Sequence, residues 1–74
     1  MMLVIGLDGC SKCQQALNYL DKKNIKYRYE NYDDLNRVEK DYYFELARKA
    51  GHAQFPIIIN DYGEVVPKYV YMRR

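Results

Sequence analysis

Cys10 and Cys13 are the chain's two cysteines, and only Ser11 and Lys12 separate them in the stretch Asp8-Gly9-Cys10-Ser11-Lys12-Cys13-Gln14-Gln15-Ala16-Leu17. Three chemistries use that spacing: a structural disulfide, half of a metal site, and a dithiol that makes and breaks a bond. A bridge between these two sulfurs closes a very short loop and removes little entropy from the unfolded chain, so it is a poor staple. A self-contained zinc site needs four ligands, and apart from the cysteines the chain offers only His52 and carboxylates. A site shared between two chains, holding zinc or an iron–sulfur cluster through both cysteines of each, satisfies the ligand count. A further reading, in which two small apolar cysteines simply pack near a helix start, needs no chemistry at all.

What separates these readings is the element that positions the pair. Leu3 to Leu7 is a short apolar run beside glycine, the pattern of a buried strand. Beyond the cysteines, Cys13, Ala16, Leu17 and Leu20 recur at helical spacing, while Gln14, Gln15, Asn18 and residues 21–23 fill the opposite face, which predicts a helix from about Ser11 to Lys23. Residues 26–32 alternate as a strand, with Tyr27 and Tyr29 on one face and Arg28 and Glu30 on the other. Asp33 and Asp34 supply a turn and an expected N-cap. Val38, Tyr42, Leu46 and Ala50, with Tyr43 and Ala47, mark one face of a second helix that stops at Gly51. Phe55 to Ile59 is a further buried strand with its proline at the start, and Glu64 to Val66 can return past the turn formers Asn60 to Gly63 as a hairpin partner. The expected architecture is therefore α/β, in the order β-α-β-α-β-β. It is a four-stranded mixed sheet packed by two helices, with a parallel right-handed crossover at the start and an antiparallel closing hairpin. The tail, residues 67–74, is compatible with an extended edge or one helical turn.

A CxxC between a buried strand and an amphipathic helix, inside a βαβ unit, is the setting of a redox dithiol. Unsatisfied backbone N–H groups and the macrodipole favour negative charge at a helix start, so a thiolate is favoured there. Cys10, just ahead of the first turn, is the expected nucleophile. Cys13, one turn in on the apolar face, is the expected resolving thiol: Cys10 attacks a substrate disulfide, and Cys13 releases the captured thiol. Lys12 adds positive charge to this neighbourhood and Asp8 opposes it.

These residues resemble a known family. A first strand, Cys10-Ser11-Lys12-Cys13 opening a helix, a second βα unit, and Gln54-Phe55-Pro56 starting a hairpin look like the glutaredoxins of the thioredoxin superfamily, including the short forms of phages and those serving ribonucleotide reductase. The likeness spans residues 2 to about 66. It implies a truncated thioredoxin-like fold without the third helix and protein-disulfide reductase activity. It implies that Pro56 is a cis-proline facing the cysteines, and that the Phe55 backbone is presented to an incoming substrate, with Ser11 and Lys12 also in contact. No bound cofactor or metal is implied. Glutathione or a flavoprotein reductase is the expected electron donor, and a disulfide-bearing protein, such as ribonucleotide reductase, the expected partner. The chain departs from the family in having Gln54-Phe55 where Thr-Val is usual, and Glu64-Val65-Val66-Pro67-Lys68 where a glycine pair and an acidic residue bind glutathione. The non-catalytic alternatives are a binding module of the same fold and the inter-chain metal or iron–sulfur site.

Composition narrows the remaining classes. Seventy-four residues make one small domain, and 49% hydrophobic with 30% charged residues is a globular balance. The net charge of +2 is too small and too evenly spread to indicate nucleic acid. The amino terminus has neither the basic start of a signal peptide nor the length of a membrane span, which sets the expectation of a cytoplasmic monomer whose thiols are kept reduced. Nine tyrosines raise base stacking as an option. Tyr27, Tyr29, Tyr42 and Tyr43, however, already fit strand or helix packing, which leaves Tyr69 and Tyr71 with Arg73 and Arg74 as candidates for binding. His52, in the loop before the proline, is a candidate proton shuttle.

Overall fold

The computed structural model describes residues 1–66, so the expectation for the tail lies outside the described residues. In chain order the elements are β1 (Met2–Gly6), α1 (Ser11–Lys22), β2 (Tyr27–Asn31), a single 3-10 turn (Tyr32–Asp34), α2 (Arg37–Lys49) and β3 (Ile57–Ile59). The sheet runs β2-β1-β3, with β1 parallel to β2 and antiparallel to β3.

Alternation along β1 and β3 divides the core in two. Val4 lies opposite Ile58 and packs with Ala16 and Leu20 of α1, whereas Ile5 lies opposite Ile57 and packs with Ile59 and Ala47 of α2. The two helices therefore cover opposite faces of one sheet. Side chains on a strand point alternately up and down, so a strand buried on both faces must be apolar throughout, as Val4, Ile5 and Ile57 to Ile59 are. Full burial of side chains such as Val4, Ile5, Ile57 and Ile58 stabilises the fold by about 1.5–3 kcal/mol each.

Local chemistry sets the helix ends. At the end of α1, Asn24 takes a left-handed φ of 57°, and Asn24 N and Ile25 N donate to Asp21 O and Leu20 O at 3.1 and 3.0 Å. Gly51 does the same for α2 with φ of 78°, its N–H and that of His52 donating to Arg48 O and Ala47 O. Both are Schellman endings, which satisfy carbonyls that would otherwise lack partners.

The structure corrects three expectations. The sheet has three strands among the described residues, not four: Val65 makes one isolated antiparallel bridge to Ile59, supported by Val66 N donating to Ile58 O at 2.7 Å. The cap of α2 is Asn36, which forms a reciprocal capping box with Glu39, rather than Asp33 or Asp34. The buried side of α2 is also rotated from the expected one. Tyr43, Leu46 and Ala47 face the sheet, whereas Ala50 is exposed, and so are Val38 and Tyr42, at 77% and 60%. Among the described residues no helix is long and apolar enough to cross a membrane.

Candidate active site

β1 ends at Gly6, and the chain turns through Leu7, Asp8 and Gly9, whose φ of 72° suits glycine, to enter α1. Cys10 is the N-cap of α1. Its extended backbone lets its carbonyl accept from Gln14 N at 3.1 Å, while its Sγ accepts from Cys13 N at 3.2 Å. The Cys10 sulfur thus takes the place that a serine or aspartate oxygen usually occupies, on one of the otherwise unpaired amides of the first turn. Cys10 is half-buried and Cys13 buried, and both are free thiols.

Burial pushes the Cys13 thiol up to about 11; the hydrogen bond and charge of Cys10 add to the rise, and the Leu7 backbone works against it. The two sulfurs therefore differ in kind. One is reachable and amide-bound, and the other is shielded and resists ionisation.

The depression around them has a volume of about 430 Å³ and is lined by the 7–11 turn, Cys13, Gln14 and Leu17 of α1, and Tyr29 of β2. Ser11 is exposed within this lining; Lys12, also exposed, is not part of it. The Phe55-Pro56 peptide bond is cis, and Pro56 is buried. Extending the β1–β3 register by one residue beyond Ile5↔Ile57 sets Pro56 beside Gly6, at the end of β1 that leads to the cysteines. The Phe55 ring turns to the α2 side, edge-on to Tyr32 at 4.9 Å. His52 is half-buried, its amide bonded to Ala47 O at 2.9 Å, and it is not among the residues lining the depression.

Three residues that composition and spacing did not single out complete the site. Gly6 leaves an opening on the α1 face: a Cβ there would lie 2.9 Å from Tyr29 Oη and 3.1 Å from Cys13 Sγ. Tyr29, expected as a packing residue, fills that opening with its hydroxyl end while 40% of the residue stays exposed. Its phenol is pushed up, first by burial and then by Cys13, Asp8, Cys10 and Asp34. Asn31 holds the cysteine-bearing turn from β2, with Nδ2 donating to Asp8 Oδ1 at 2.9 Å and Oδ1 accepting from Asp33 N at 2.9 Å. The available signals were the glycine ending an apolar run and the alternation placing Tyr29 on the face of Tyr27. Neither reveals which residues meet in space. Among the described residues no group of three or more His, Cys, Asp and Glu side chains is placed to hold a metal ion.

No family model matches the chain, and no curated protein does. Solved structures do. The glutaredoxin from Methanosarcina mazei Go1 superposes with a TM-score of 0.72 at 21% identity, covering 89% of this chain and 65% of that one. The glutaredoxin from Archaeoglobus fulgidus gives 0.64 at 18% identity, covering 99% of this chain and 86% of that one. The chain thus spans about 65% of the length of the Methanosarcina protein. Parallel β1 and β2 joined through α1, an antiparallel β3 entered through a cis-proline, and helices on both faces give this protein a glutaredoxin-like fold.

Proposed function

We propose that the protein is a thiol-disulfide oxidoreductase that reduces protein or small-molecule disulfides through Cys10 and Cys13. The observation that carries this reading is the asymmetry of the pair on one helical turn: a half-exposed Cys10 Sγ on the Cys13 amide at 3.2 Å, and a buried Cys13 behind it. Backbone donors at a helix start stabilise a thiolate, which is the attacking species. The Cys10 thiolate attacks one sulfur of the substrate disulfide, forming a mixed disulfide and expelling the first substrate thiolate. Cys13 then loses its proton to solvent and attacks the Cys10 sulfur; the Cys10–substrate bond breaks, and the second substrate thiolate leaves with the electron pair and is protonated. Two electrons pass to the substrate and the protein is left with a Cys10–Cys13 disulfide.

Return to the dithiol requires a thiol donor, and we propose glutathione or the dithiol of a flavoprotein reductase. A disulfide-bearing protein, ribonucleotide reductase among the candidates, is the proposed client.

The test is single-turnover reduction of a mixed disulfide by the wild type and two variants. Cys10→Ser should show no turnover, and Cys13→Ser should accumulate a covalent adduct visible by mass. Equal reactivity of all three proteins would overturn the proposal. Supplying glutathione and a reductase system in turn identifies the donor.

A further inference from the structure

The resolving step poses a chemical difficulty: Cys13 must become a thiolate in a place where burial opposes it. Another side chain shares that space. Tyr29 Oη and Cys13 Sγ lie 2.9 and 3.1 Å from one point above Gly6, where any other residue would carry its Cβ. They are brought together from two different elements, β2 and α1, over a gap that only glycine leaves open. The Tyr29 hydroxyl makes no hydrogen bond within the described residues, so its proton is available. We propose that the Tyr29 hydroxyl donates a hydrogen bond to the Cys13 sulfur as that sulfur ionises, holding the thiolate that displaces the captured substrate from Cys10.

The surroundings suit a donor. The groups facing the phenol are Asp8 and Cys10 from the turn, Cys13 from α1 and Asp34 from the 3-10 turn, all neutral or negative, and each opposes loss of the phenol proton. Each of these neighbours therefore favours the protonated, donating form of the phenol. The step remains the one written above: the proton leaves Cys13 for solvent, the phenol keeps its own, and the S–S bond forms as the Cys10–substrate bond breaks.

A hydrogen bond to a charged acceptor is strong enough to raise the thiolate population about tenfold. It also tames the nucleophile. With reactivity falling by a little under half of each unit of basicity, the net gain below the Cys13 titration is about threefold.

This inference rests on the oxidoreductase reading for its role in turnover, but its core is testable without turnover. In Cys10→Ser protein, where Cys13 is the sole thiol, the Cβ chemical shift of isotope-labelled cysteine reports its titration. Adding Tyr29→Phe, which keeps the ring, should move that titration about one pH unit higher, and an unmoved titration overturns the proposal. Should the double variant fail to fold, the reciprocal measurement decides. In Cys13→Ser protein the Tyr29 phenol should titrate at lower pH than in the wild type, and no change overturns the idea. In single-turnover kinetics Tyr29→Phe should be about threefold slower at neutral pH, with the gap narrowing as the pH approaches the Cys13 titration, so the two pH profiles converge. Profiles displaced equally at every pH would mean a purely structural Tyr29 and would overturn it. A wild type without turnover would sink the oxidoreductase reading and leave Tyr29 to be judged by the two titrations.

Discussion

Two depressions of similar volume open at opposite poles of α1. One, of about 430 Å³, surrounds the helix start at Cys10 and Ser11; the other, of about 410 Å³, lies just past its end, among Met2, Ile25, Lys26 and Tyr62. Size does not distinguish them, but chain direction does. At the start of α1 amide N–H groups point outward, and one of them holds the Cys10 sulfur. At its end the carbonyls are closed off by Asn24 and Ile25, and the depression there is lined by neither a cysteine nor a histidine. A helix has one end that welcomes an anion, and Cys10 stands at that end.

The sharpest way to break this contrast is to move the chemistry. Cys10→Ser should lower disulfide reduction by at least about a thousandfold, the scale on which loss of a nucleophile registers, whereas Ile25→Ala at the other pole should leave the rate unchanged. Gly6→Ala comes next. The new methyl meets Tyr29 Oη at 2.9 Å and Cys13 Sγ at 3.1 Å, so about 1–3 kcal/mol of stability should be lost in urea titration. Slower release of substrate should accompany it.

Alkali should single out the Cys13 end. The folded thiol holds its proton from the ordinary 9.0 up to about 11, so between those values the native state binds more protons than the unfolded one. Stability is full below pH 9.0 and should fall as the pH rises toward about 11. In Cys13→Ser protein that part of the decline should vanish from melting curves. The smallest effect belongs to Tyr62→Ala: at 87% exposure its removal should change stability by no more than about 0.5 kcal/mol. A larger loss would show that the second depression matters more than its chemistry implies.

Much of this was legible in the residues. The run Leu3 to Leu7 and the helical spacing of Cys13, Ala16 and Leu20 located β1 and α1 to within a residue, because apolar runs and periods are local signals. That locality also placed Cys10 at the helix start. The buried side of α2 was harder, since two stripes one position apart compete, Val38 with Tyr42 and Tyr43 with Ala47. Ala47 is small enough to let the helix approach the sheet, and that stripe went inward. The closing hairpin was overestimated because Glu64 to Val66 carry strand-forming side chains but make only one bridge. Gly6 with Tyr29, and Asp8 with Asn31, could not be seen at all, since each pair is joined through space by the pairing of β1 with β2.

The middle strand of this sheet is the earliest to be made. As the chain leaves the ribosome, β1, α1 and β2 can assemble at once, yet the second edge of β1 waits for Ile57 to Ile59, close to the end of the described chain. Until then Val4 and Ile5 belong to an open apolar ribbon, so any fragment cut before Ile59 should be more prone to stick to its neighbours than to work as a smaller version of the whole.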